Sequence, residues 1–171
     1  AEILSNNSGL FTHFIGEEFS GGVIFYLWKD TLGVEHGLIV DKVDLSSSQV
    51  WSNIEATIIG ASAQSKWDGL SYSNAIVAQV GHTNSASKLC LNSNNDGQSD
   101  WYLPSIDELS LLWHSRFNVN KSLSTIAGAT VLPKNEYYWS SSENDYLRAF
   151  CFFNGEILNY NQKNSSYLVR A

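Results

Sequence analysis

Residues 135–171 carry 6 Asn, 5 Tyr, 5 Ser and 3 Phe, and within them residues 159–167 run for nine positions with no aliphatic side chain and a single charge, Lys163. Such a stretch cannot supply a core. Burying amides and hydroxyls without partners costs free energy, and no methyl-rich side chains are at hand to offset it. The segment must therefore lie outside a frame built by the rest of the chain, where its rings and amides are free to make contacts. Asn154-Gly155 is a strong two-residue hairpin turn. It predicts a strand over 148–153, a returning strand over 156–160, and a closing strand over 167–170.

The frame has enough material. At 171 residues and 43% hydrophobic content the chain suits one globular domain, or two at most. Built on the apolar runs at 22–28 and 37–40, residues 21–27 and 37–43 read as an antiparallel pair of strands joined by a loop at 28–36. Both fall far short of the ~20 residues needed to cross a bilayer, so no membrane insertion is expected. With 10 Lys+Arg against 17 Asp+Glu there is no basic field to collect phosphates, which excludes nucleic acid as a partner. The chain starts at Ala1 with no basic-then-apolar leader, as a mature or trimmed fragment would.

Between these ends the signals are mixed. A turn is expected at Ser46 to Ser48 and a short strand at Val50 and Trp51. A helix is expected over 72–80 with Gly81 as its stop, and another over 85–91 before the polar loop 92–97. In 104–113, Ser105 can cap the amide of Glu108 while the Glu108 carboxylate reaches back, so a helix should start at Ile106. Leu109, Leu112 and Trp113 then share its buried face. Trp51, Trp101, Trp113 and Trp139 are the expected aromatic anchors.

Chemistry-bearing residues are sparse. His13, His36, His82 and His114 stand in unrelated contexts, and no metalloprotease, serine-elbow or phosphate-loop pattern occurs. Glu17 and Glu18 flank a strand, and Asp107 and Glu108 are explained by the helix start. Asn92, Asn94, Asp96 and Gly97 echo a calcium loop, but Asn replaces the first Asp and Leu103 stands where a bidentate Glu would close the site. A plain turn is the expectation, with no metal and no cofactor. Cys90 and Cys151 form no Cys-x-x-Cys pair and leave a single disulfide open.

Several blocks in order carry a resemblance: residues 21–26, 36–40, Asp68-Gly69, Cys90, the run Asp100-Trp101-Tyr102-Leu103-Pro104-Ser105-Ile106-Asp107-Glu108-Leu109, and Tyr138-Trp139-Ser140-Ser141-Ser142-Glu143. Together they resemble the bacterial C-type-lectin-like domain that also ends collagen-like surface adhesins. The tail is similar to variable proteins diversified by retroelements, in which adenines of Asn codons are mutated. The resemblance implies that Trp139, Ser140, Ser141, Glu143, Lys163, Val169 and Arg170 are scaffold. It also implies that Asn144, Tyr146, Arg148, Phe153, Asn159, Tyr160, Asn161, Asn164 and Tyr167 are variable, ligand-facing positions. Two features depart from that pattern: Leu147-Arg148-Ala149-Phe150 replaces the usual Ala-Trp pair, and Gln162 is no product of adenine mutation.

The expectation is thus an α+β, C-type-lectin-like fold with two main helices on small twisted antiparallel sheets and long loops. A lead-in over 1–19 precedes a binding domain over 20–171, whose variable face is 135–171. The expected function is non-enzymatic binding of a protein or glycan ligand at the cell surface, outside the cell or on a phage particle. Alternatives are a structural pilus-tip or adhesin module and, since sulfatase-activating oxygenases share the broad fold, a copper oxidase using Cys90 and Cys151. Neither the ligand nor the oligomeric state is fixed by the sequence.

Overall fold

The apolar run at 22–28 forms strand β2 (Gly22–Lys29), which pairs antiparallel with β3 (Glu35–Asp41) and with the two-residue β1 (Glu18–Phe19). Strand β2 is one residue longer and the loop between the strands shorter than the pattern of apolar residues suggested, while β3 keeps its seven residues but begins and ends two residues early, at Glu35 and Asp41. The computed structural model describes residues 10–64, 67–146 and 148–171. A second, five-stranded sheet has the order β4-β8-β5-β6-β7, with β4 (Ser46–Val50), β5 (Tyr137–Glu143), β6 (Arg148–Phe153), β7 (Glu156–Gln162) and β8 (Ser166–Val169). Its neighbours are antiparallel except β5 and β8, which run parallel.

The expected turn at Ser46 to Ser48 is instead most of β4. Serine's weak strand propensity is overridden because β8 offers this segment a pairing partner, with Gln49 opposite Tyr167. The hairpin of β6 and β7 turns at Asn154 and Gly155 as expected, both with positive φ (49° and 93°), the backbone of a tight turn matched to strand twist.

Four α-helices lie among the described residues, one more than the three the sequence placed: α1 (Gly69–Val77), α2 (Ala86–Leu91), α3 (Ile106–His114) and α4 (Arg116–Leu123). Helix α1 starts three residues before the expected Tyr72, because the Asp68 carboxylate accepts from the Ser71 amide at 2.9 Å and caps it. At α3 the reciprocal cap is present: Ser105 Oγ accepts from the Glu108 amide at 3.3 Å, and Glu108 Oε2 accepts from the Ser105 amide at 2.7 Å. Helix α4 lacks a side-chain cap and buries only Val119 and Leu123, an i, i+4 pair, so its sequence gave little notice of it.

Two cores result. One gathers Val23, Phe25 and Val40 of the β2–β3 hairpin with Ile106, Leu109, Leu112, Val119 and Leu123 of α3 and α4, and with Tyr138 and Phe152. The other gathers Trp51, Ile76, Cys90, Trp101, Leu103, Trp139, Ala149, Cys151 and Val169 on the opposite face of the large sheet. Trp51, Trp101 and Trp139 are buried as expected; Trp113 is only half-buried, at the rim of the first core with the Arg116 guanidinium 4.1 Å from its ring centre. Part of the expected lead-in is tied to the domain, since Gly16 donates to the Ile24 carbonyl and accepts from Ser122 Oγ.

Candidate ligand-binding face

The outer strands of the large sheet and the loops beside them rest on one buried ion pair. Lys163 Nζ donates to Glu143 Oε1 at 2.7 Å, to the Thr57 carbonyl at 3.1 Å and to the Tyr146 carbonyl at 3.3 Å, and it lies 4.9 Å from the Trp51 ring centre. Glu143 in turn accepts from the amides of Ile59 and Gly60 at 3.0 Å. Both side chains are fully buried. A charge taken from water is stable only when its hydrogen bonds are met, and here those bonds come from two separate loops, so the pair fixes 57–60 against 143–146. Lys163 belongs to the nine-residue polar run, yet it faces inward as part of the frame.

Around this clamp the nine expected ligand-facing residues fall into two groups. Tyr146 and Tyr160 are exposed, at 55% and 60%. Arg148, Asn159 and Asn164 are exposed too, and Asn144 is half-buried. This band lies on β6, β7 and the loops beside them. Asn144 Nδ2 donates to the Asn159 carbonyl at 2.7 Å, Arg148 pairs with Asp145 at 3.0 Å, and Asn164 Nδ2 donates to Glu55 Oε2 at 3.0 Å.

The second group is not free surface. Asn161 is 6% exposed, so the expectation that it faces solvent is corrected: it points inward opposite Ala149, where its Oδ1 accepts from the Tyr167 hydroxyl at 2.7 Å. The Nδ2 of Asn161 and the Oγ of Ser141 are buried polar atoms with no partner among the described residues. Tyr167 is half-buried in an aromatic column: its ring lies 4.8 Å from Tyr137 and 4.5 Å from Trp139, and Tyr137 stacks on Phe153 at 4.3 Å. Burial raises the Tyr167 phenol above its ordinary value, with the nearby Tyr137 and Tyr160 phenols adding to the effect. Phe153, at the hairpin end of β6, is half-buried in the same column. Tyr137, Asp145 and Glu55 are participants that the sequence did not reveal, since each acts through a partner that only the sheet register or a loop brings near.

The remaining chemistry-bearing residues are accounted for locally. Cys90 and Cys151 are both free and buried, so the disulfide left open by the sequence is not formed. Burial pushes the Cys151 thiol to about 12 and raises that of Cys90 further, which leaves neither as a thiolate near neutral pH. In the loop that echoes a calcium site, Asn95 Nδ2 donates to Asp41 and Asp96 pairs with Lys42 at 2.8 Å, so its side chains are committed to the β3 end. Among the described residues no group of His, Cys, Asp and Glu is arranged to hold a metal ion. No helix there is long and apolar enough to cross a membrane.

The family model described as the Lcl C-terminal domain matches residues 42–171. That span takes in the whole five-stranded sheet and its helices and begins just after β3. No curated protein matches the chain.

Proposed function

The chain belongs to the Lcl C-terminal domain family, C-type-lectin-like domains of adhesin type, and on that premise we propose that it is a non-enzymatic binding domain whose ligand is held by the band around Tyr146 and Tyr160. One observation carries this: exposed rings and amides, Tyr146, Asn159, Tyr160 and Asn164, sit on a backbone fixed from beneath by the Lys163–Glu143 pair. Exposed tyrosines give a large contact area with little conformational entropy to lose, and amides add adaptable hydrogen bonds. A rigid support keeps the ordering cost of binding low. The ligand is a protein or glycan presented by another cell or molecule, and the domain works outside the cell that makes it.

The same architecture suits diversification of the tail by a retroelement. Substitution of exposed side chains usually changes stability by under ~0.5 kcal/mol, so Tyr146, Asn159, Tyr160 and Asn164 can vary while the clamp stays. Asn161 and Tyr167 are poor sites for free variation, being packed into the frame. Comparing the coding DNA of the last ~40 residues with a neighbouring near-copy tests this, because mismatches should fall at adenines and spare the codons of Glu143 and Lys163.

Binding is tested by probing immobilised chain with a glycan array and a panel of cell-surface protein extracts, then measuring any hit by surface plasmon resonance. Tyr146→Ala combined with Tyr160→Ala should weaken that hit at least about tenfold with the melting temperature nearly unchanged. Full retention of affinity in the double variant would place the ligand elsewhere.

A further inference from the structure

A second candidate region lies along the β3 edge, where it faces residues 100–104 and the end of the chain at Arg170 and Ala171. Strand β3 pairs with β2 along one edge only. In an antiparallel pair, alternate residues turn both backbone groups away from the partner. Asp41 is such a residue, since its amide donates outward to the Ala171 carbonyl at 2.8 Å. Ile39 and Gly37 follow at the same parity, and among the described residues nothing bonds to their outward amides and carbonyls. Gly37 is exposed and Ile39 half-buried.

A cleft enclosing about 120 Å³ runs beside this edge. All of Gly37, Leu38, Ile39 and Val40 line it, although side chains of successive strand residues point to opposite faces. It therefore follows the edge of the strand and not one face. Opposite stand Trp101, Tyr102 and Pro104, which leave a mostly apolar wall. Three charged side chains line the cleft: Asp100, Glu108 and Arg170. Arg170 is neutralised by Asp44, to which its Nε donates at 2.7 Å, and its other nitrogens donate to Thr130. The Glu108 carboxyl is buried and already accepts from the Ser105 amide and the Tyr102 hydroxyl, so the charge left for an incoming group is that of the exposed Asp100, in a chain with a net charge of -7.

We propose that this cleft binds an extended peptide segment that adds as a strand to the β3 edge at Gly37 and Ile39, continuing the rung that Ala171 makes with Asp41, and that carries an apolar side chain beside a basic one. An open strand edge supplies main-chain hydrogen bonds, and the flanking pocket selects side chains. The apolar wall fits the first side chain and the exposed Asp100 carboxylate the second. This site is separate from the Tyr146–Tyr160 band and stands or falls without it.

The test uses the full chain, labelled with nitrogen-15, and a five-residue peptide with central leucine, flanking valines and terminal lysines. Titration to about 1 mM should shift the Gly37 and Ile39 amide resonances and slow their hydrogen exchange. Methylating the amide nitrogens of the peptide, replacing its lysines with glutamates, or the variant Asp100→Lys should each weaken binding about tenfold, the scale of one or two lost hydrogen bonds or a reversed rim charge. Ile39→Pro, tolerable on an edge strand, removes one outward amide and should do the same. Tyr160→Ala should leave peptide affinity unchanged. Unshifted Gly37 and Ile39 resonances would overturn the proposal, as would equal binding of the methylated peptide. Protection of the same amides by self-association in the absence of peptide, seen in sedimentation, would also overturn it and make a second copy the occupant.

Discussion

At the scale of single residues, the strongest commitment in the molecule is the charge pair under the binding band. Removing one partner of a fully buried pair leaves the other charged without compensation, so Lys163→Met should cost about 3–5 kcal/mol and lower the melting temperature sharply. Pairing it with Glu143→Gln should recover much of that loss, measured by calorimetry as a double-mutant cycle. A second residue-scale prediction concerns Glu108, whose carboxyl burial raises above the ordinary 4.5 despite its bonds from Ser105 and Tyr102. A carboxyl with a raised value in the folded state stabilises most when protonated, and that contribution is lost as pH rises through the raised value. Thermal melts across the mildly acidic range should therefore show wild type losing ground to Glu108→Gln as pH increases, and parallel curves would contradict this. Ser105 and Glu108 were legible in the sequence because a cap acts over three positions. The partnership of Glu143 with Lys163 could not be read from spacing, because it is made through Ile59, Gly60 and Thr57 across a fold the local pattern does not encode. For the same reason Asn161 passed for a surface amide.

Among the elements, the β6–β7 hairpin ties the binding band to the first core. Gly155 has a φ of 93°, and a Cβ there would stand 2.9 Å from Trp113 Nε1. Gly155→Ala thus meets both backbone strain and a ring already held by Arg116, and should destabilise by about 1–3 kcal/mol, read as a shift in urea midpoint with an unchanged slope. Asn154→Ala, which lacks that contact, should cost less. The turn announced itself through Asn-Gly chemistry, and α3 through its cap and its apolar spacing. Helix α4 and strand β4 did not, since the first has a polar sequence with two buried positions and the second is a run of serines held by β8. Both take their structure from neighbours instead of from local propensity. Tyr167→Ala, which breaks the column between Tyr137 and Trp139, should lower the melting temperature far more than Tyr160→Ala, a contrast that separates frame from surface within one segment.

For the whole molecule, the folding unit is larger than the span shared with the family. Val23, Phe25 and Val40 all precede residue 42 and complete the core against α3 and α4. A fragment over 42–171 would expose that apolar face and should bind a hydrophobic dye and melt without cooperativity, whereas the chain over 10–171 should unfold in one transition. The mixed α+β architecture was legible from composition, hairpin signals and the capped helix, whereas the place of the last strand was not. Strand β8 sits inside the large sheet, between β4 and β5, so the neighbours on both sides must wait for it. On the ribosome, then, the sheet cannot close until residue 169 has cleared the exit tunnel, and every nascent chain passes through an interval with two unsatisfied strand edges. A stop codon before β8 would strand all its products in that state, which makes the same stretch that tolerates changes in side chain intolerant of losing its last strand.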